Sequence, residues 1–228
     1  MANDDTTDRS TFWAVAAGDG ERDAGGDEFD EAALLDRFFR RVGEPTSVAS
    51  VDCGHAPVCF ALADRYPTIQ FRGYDAADAV VRANRERAAE TGLANLSFAV
   101  DALPDLSVRR TFDLVYCYGT LHAVRDVERA LRALYERVGD GGRLVFNYPN
   151  RLTLGHLRRD VRKRESDGPS SPEDLRERLA PVLDGESVLS YGRIEEVLGV
   201  RPRSYWTAID APVEPWTARD NPCVYVEK

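Results

Sequence analysis

Between Ser47 and Tyr148 the chain alternates short apolar runs with amphipathic stretches, and this alternation restricts the fold more than any other feature. "SVASV", "IQFRGYD", "LSFAVD", "FDLVYCY" and "GGRLVFNY" have the length and apolar content of strands. Val58–Tyr66, Ala79–Glu90 and Val127–Val138 carry helical spacing. Strands that alternate with helices imply parallel β-α-β units around a buried central sheet. "DLVYC" and "RLVFN" are nearly continuous apolar runs, as strands covered on both faces require. Upstream, Phe29, Ala32, Leu35, Phe38 and Phe39 share one face of a helix expected from Glu28 to Val42. After Pro149 the pattern loosens. A helix is expected from Pro172 to Leu183, opened by Ser171 and Pro172. A short helix follows in "RIEEVLG", then two closing strands in "RPRSYWTAID" and "NPCVYVEK".

The 228 residues suit one domain with a substantial core. Residues 1–28 form an acidic segment expected to be partly flexible, although "TFWAVAAG" within it carries two aromatic rings that call for a docking place. No apolar run reaches the roughly 20 residues that cross a bilayer. The N-terminus lacks the basic-then-apolar order of a signal peptide, so a cytoplasmic protein is expected. The four cysteines, Cys53, Cys59, Cys117 and Cys223, form no C-x-x-C pair. His55, His122 and His156 show no zinc-ligand spacing, and no metal is expected.

Acidic residues outnumber basic ones 39 to 30, giving a formal net charge of -9, which argues against a nucleic-acid partner. Lys163 and Lys228 are the only lysines; every other basic residue is arginine. This composition resembles that of proteins from salt-accumulating halophiles, above all haloarchaea, where hydrated carboxylates keep a protein soluble in concentrated salt. A GC-rich genome that favours arginine codons gives the same pattern. One basic island, "HLRRDVRKRE", is read as a solvated helix face with Leu154, Leu157 and Val161 turned inward; a phosphate-contacting surface and a substrate lid are the other readings.

"VASVDCGHAP" has the layout of a strand, a ligand-cradling turn and a helix, yet Gly54 is its one glycine. Asp75 ends the next strand, about twenty residues on, where dinucleotide folds carry the acid for ribose hydroxyls. A helix cap is the alternative for Asp75. Asp101 follows the third strand in "VDALPDL".

The ordered set "SVASVDCG", "YD", "VDALPDL", "FDLVYCYGTLHAV" and "VGDGGRLVF" resembles the class I S-adenosylmethionine-dependent methyltransferases across roughly residues 30–150. The resemblance implies an α/β, Rossmann-like, doubly wound and mostly parallel sheet of about seven strands with a closing antiparallel strand. It implies S-adenosylmethionine as cofactor, S-adenosylhomocysteine as product, and a small-molecule acceptor. The family's first motif reads acid, apolar, Gly, Cys, Gly, any, Gly. Here it falls on Ser50, Val51, Asp52, Cys53, Gly54, His55 and Ala56, so the acid and two glycines are replaced. A register with Asp52 as the motif acid would start the helix too late and would displace Pro57 from a first helical position.

Carried over position by position, the resemblance places Ser50, Asp52, Cys53 and Gly54 in the cofactor loop, with Asp52 facing the cofactor's ammonium group. It sets Asp75 and Ala76 at the ribose, Asp101 and Ala102 at the adenine, and Cys117 and Leu121 along the pocket. Should a catalytic base be used, His122 is the first choice and Tyr118 the second; a packing role for His122 stays open. The segment 150–181 falls where this family carries an acceptor-binding insertion within a domain of residues 29–228. "NYPN", at 147–150, has the wrong order and position for the Asn-Pro-Pro-Tyr motif of amino methylation. Two other functions stand beside methyl transfer. One is a non-catalytic relative that uses the fold for binding or assembly. The other is an NAD-dependent oxidoreductase, which the later segments fit poorly.

Overall fold

The computed structural model describes residues 30–167, 176–177, 179–210, 219 and 222–228. The flexible-segment expectation for 1–28 and the helix start at Ser171 and Pro172 lie outside them.

The described chain opens with α1 (Glu31–Val42), capped by Asp30, whose carboxylate accepts from the Ala32 and Ala33 N–H groups. β1 (Ser47–Val51), α2 (Pro57–Arg65), β2 (Gln70–Asp75), α3 (Asp78–Thr91) and β3 (Leu96–Val100) follow. Then come β4 (Phe112–Cys117), a 3-10 turn (Leu121–Ala123), α4 (Val127–Glu136) and β5 (Val138–Asn147). The remainder comprises α5 (Arg151–Asp167), α6 (Ala180–Leu183), α7 (Tyr191–Leu198), β6 (Arg203–Ser204), α8 (Tyr205–Ile209) and β7 (Cys223–Glu227).

These strands form one seven-stranded sheet in the order β3-β2-β1-β4-β5-β7-β6. β1 to β5 pair in parallel, whereas β7 runs antiparallel to both β5 and β6. The strand order reverses direction between β1 and β4, and such a switch point is where open α/β sheets bind ligands. Alternating strand residues separate two cores. Val48, Leu114, Tyr116 and Val145 join Phe38, Phe39 and Leu62 on the face covered by α1 and α2. Ala49, Val115, Cys117 and Leu144 join Leu131, Leu134 and Ile194 on the face of α4 and α7. No described helix is long and apolar enough to cross a membrane.

One expected strand is corrected. "RPRSYWTAID" supplies only the two-residue β6 before turning into α8. Ser204 ends the strand because its hydroxyl caps the helix at the Thr207 N–H. Tyr205, Trp206 and Ile209 then bury one helical face, with the Tyr205 ring stacked 5.2 Å from Phe38. In the basic island, α5 buries Leu157 and Val161, and Leu157 packs with Leu179 and Val182 in a small separate core.

Candidate functional site

The turn after β1 has a conformation that its residues disfavour. Asp52, Gly54 and Ala56 all have positive φ, at 58°, 52° and 54°. These are the positions where the notional motif carries glycine, and non-glycine residues enter this region at a cost of about 1 kcal/mol each. The register built on Ser50 is therefore the one the backbone follows, and α2 begins at Pro57 as that register requires.

Four neighbours hold the turn. Asp75, at the end of β2, accepts from the Gly54 N–H through Oδ2 at 2.9 Å. Its Oδ1 accepts from the Ala77 N–H at 2.9 Å, so Asp75 also caps the entry to α3. Asn84, buried on α3, donates its side-chain amide to the Gly54 carbonyl at 2.7 Å. The Cys53 N–H donates to the Tyr74 carbonyl at 2.9 Å. Thr120, in the loop after β4, donates its hydroxyl to the Tyr118 carbonyl at 3.4 Å and stands near enough to the Asp52 carboxylate to favour its charged form. Gly73 makes room for Cys53: a side chain there would begin 2.9 Å from the Cys53 Sγ and 2.5 Å from the Phe98 ring.

The replaced residues leave the open face of the turn clear. Ala56 is 1% exposed and turns its methyl into the α1–α2 core. Among the described residues, and beyond its chain neighbours, no atom lies within 4 Å of where a side chain at Gly54 would start. Ser50 is buried beside the Cys59 thiol on α2, whose pKa burial pushes up to about 11. Asp52 opens to solvent on one side. The strand ends around it withdraw enough water to raise its carboxyl pKa; the Thr120 hydroxyl opposes this and the Asp75 charge adds to it.

The other predicted residues divide into two groups. Asp101 is buried and organises the loop after β3, accepting from the N–H groups of Ala102, Ser107 and Val108 at 2.9–3.0 Å. Cys117 and Leu121 are buried in the α4–α7 core, and burial pushes the Cys117 thiol up to about 12. Ala76 follows Asp75 and is exposed. Tyr118 is half-buried, its ring stacked on Tyr116. His122 sits in the 3-10 turn, where its carbonyl accepts from the Ser187 hydroxyl at 3.2 Å. Asn84, Thr120 and Asn147 were not foreseen. Asn147 ends β5 and accepts from the Gly119 N–H at 2.7 Å, fixing the loop that carries Tyr118 and Thr120. For Asn84 a signal existed: a polar residue among the inward-facing positions of an amphipathic helix.

A doubly wound sheet with a left-handed turn at its switch point, an acid at the second strand end and a closing antiparallel strand is an α/β, Rossmann-like architecture. Residues 50–144 match the family model described as "Methyltransferase domain". The chain is 29% identical over 153 residues to trans-aconitate 2-methyltransferase of Streptomyces coelicolor (strain ATCC BAA-471 / A3(2) / M145), which covers 66% of this chain and 48% of that protein. It thus spans about half the length of the curated relative it matches. Its fold is similar to that of the plantazolicin methyltransferase BamL, solved in complex with a triazolic desmethylPZN analog and SAH (TM-score 0.56, 14% identity, 97% of this chain and 87% of that one). It is also similar to PKMT2 from Rickettsia typhi (TM-score 0.54, 17% identity, 75% of this chain and 37% of that one). Over residues 50–144 the chain is thus similar to methyltransferase domains, and its fold is that of the class I S-adenosylmethionine-dependent methyltransferases.

Proposed function

We propose that this protein transfers a methyl group from S-adenosylmethionine to a small-molecule acceptor. The observation that carries the reading is the turn at 52–56: it keeps left-handed backbone at all three motif positions although two have lost glycine, and its face at Gly54 is clear among the described residues. Backbone strain that the surrounding structure holds in place clusters at ligand-binding sites.

The residues present fit the cofactor. Each Asp75 oxygen uses one acceptor site on backbone N–H groups, and a carboxylate oxygen has two, which leaves capacity for ribose hydroxyls. Asp52 offers a charge to an ammonium group, and Thr120 beside it favours that charge. Asp101 shapes the loop that begins at Ala102, so an adenine contact there combines backbone with the remaining carboxylate capacity. S-Adenosylmethionine, when bound, supplies a methyl carbon activated by a sulfonium leaving group. For that chemistry the protein's main tasks are positioning and exclusion of water, and a base is optional. Tyr118 adjoins the acidic and aromatic groups at the end of β4, whereas His122 lies further along, on the turn tied to Ser187. If a base acts, Tyr118 is the better placed. The acceptor-binding role of 150–181 is retained in this reading, with the α5–α6 packing as its support. A small-molecule acceptor accords with the relative named for trans-aconitate.

Calorimetric titration with S-adenosylmethionine, S-adenosylhomocysteine and NAD in buffered molar KCl tests the proposal. Micromolar binding of the first two, without NAD binding, is expected. A folded sample that binds neither would assign the chain to the non-catalytic class, and NAD binding would assign it to the oxidoreductases.

A further inference from the structure

Three tyrosines and a glutamate gather at the end of β4 on the α1 side. The Tyr116 hydroxyl donates to Glu31 Oε2 at 3.3 Å. The Tyr118 ring stacks on Tyr116, centroids 6.1 Å apart and planes within 6°. Tyr205 approaches from α8, held between Phe38 at 5.2 Å and Trp206 at 5.4 Å. Tyr116 and Tyr205 are buried, while Glu31 and Tyr118 are half-buried, so the group has an open edge. Burial, then the negative charge of Glu31, drives the Tyr116 hydroxyl well above its usual pKa. Burial does the same to Tyr205, with Cys223 and Glu31 adding to it.

This group stands beside the candidate cofactor turn. Tyr116 pairs with Ser50 in the β1–β4 ladder, two residues before Asp52. Thr120, two residues past Tyr118, donates its hydroxyl back to the Tyr118 carbonyl at 3.4 Å and stands beside the Asp52 carboxylate. We propose that Glu31, Tyr116, Tyr118 and Tyr205 form the acceptor side of the transfer site and select an amine, which takes the methyl group on nitrogen. The proposal rests on the methyl-transfer reading above and names its substrate class.

Charge movement during transfer decides the class. The lone pair of a neutral amine forms the new N–C bond while the C–S bond breaks. The electron pair of that bond stays on sulfur, which becomes a neutral thioether. The ammonium form of the acceptor gives its proton to water before attack; positive charge then moves from sulfur to the methylated nitrogen, which remains an ammonium. A carboxylate and the faces of tyrosine rings on the acceptor side stabilise charge that develops there. The same groups disfavour a carboxylate acceptor, which must be held by positive partners and whose like charge Glu31 repels.

The test uses the full chain, S-adenosylmethionine carrying a tritiated methyl group, and two matched probes, phenethylamine and 3-phenylpropionate. Label is expected on the amine and not on the acid. Glu31→Gln should lower kcat/KM for phenethylamine by about tenfold or more, the equivalent of one hydrogen-bonded charge in the transition state. Its calorimetric affinity for S-adenosylhomocysteine should stay at the wild-type value, which also reports that the variant is folded. Label on 3-phenylpropionate, label on neither probe, or an unchanged rate in Glu31→Gln overturns the proposal. Failure of the wild-type protein to bind S-adenosylhomocysteine overturns the methyl-transfer reading instead, so the two failures are distinct.

Discussion

The Asn84 side chain donates to the Gly54 carbonyl at 2.7 Å, bracing the turn after β1 from a helix 30 residues further along the chain. Asn84→Ala removes the donor and leaves a part-buried carbonyl without that partner, at a cost of about 1–2 kcal/mol in denaturant unfolding. Because the turn then enters the complex less ordered, affinity for S-adenosylhomocysteine should fall by roughly tenfold in titration calorimetry. Equal losses in stability and no loss in affinity would separate the brace from the ligand site.

Ala56 has φ of 54° and a buried methyl group. Ala56→Gly relieves the left-handed strain but forfeits the packed methyl and loosens the unfolded chain. The strain, about 1 kcal/mol or more, exceeds the unfolded-state penalty of under about 1 kcal/mol. The methyl's burial, about 0.8 kcal/mol, nearly closes the remaining gap. Thermal melting should therefore show a change of only a few degrees either way, while ligand affinity rises if the strain opposes the bound geometry.

The raised carboxyl of Asp52 gives a pH signature. In the unfolded chain an aspartate titrates near about 3.9. With its folded pKa above that, ionisation disfavours the native state: the penalty is absent below the unfolded value and develops as pH rises through the folded one. Asp52→Asn removes the penalty and keeps an acceptor beside Thr120. The free variant should thus be slightly more stable than wild type at pH 7 and equal to it near pH 3, by urea unfolding. Ligand affinity should move oppositely. The variant should bind S-adenosylhomocysteine more weakly at pH 7 yet bind 5′-methylthioadenosine, which lacks the ammonium group, as wild type does.

Salt dependence weighs two opposing effects. Arg193 bonds Glu128 and Glu196 on the surface, and Arg125 pairs with Asp184 and Glu186. Exposed pairs contribute at most about 1 kcal/mol each, and salt screens them. The net charge of -9 instead destabilises the folded state through self-repulsion that salt relieves. If halophily explains the composition, the melting temperature should rise from dilute to molar KCl. A falling curve would give the pairs the larger weight and remove halophily.

The parallel core was legible because its strands are buried on both faces and their apolar runs leave no other use. "SVASV" became β1 at its expected bounds, and "FDLVYC" became β4. Tyr205 to Ile209 misled because a short run rich in aromatic residues suits a strand or a buried helix equally, and the Ser204 cap decided between them. In the site, the turn's register could be read from the start of α2 and from Pro57 at its first position. Thr120 and Asn147 could not, because their neighbours, Asp52 and Gly119, are supplied by strands brought together only in the folded sheet. Ser50 occupies the motif's acid position and is buried beside Cys59, a neighbour that no spacing rule anticipates.

Asp75 links the Gly54 N–H to the first turn of α3 with its two oxygens, while Asn84 returns from the same helix to the Gly54 carbonyl. Shape at this turn is thus stored in its surroundings more than in its own residues. Such outsourcing frees the turn's codons to drift from glycine without dismantling the cradle.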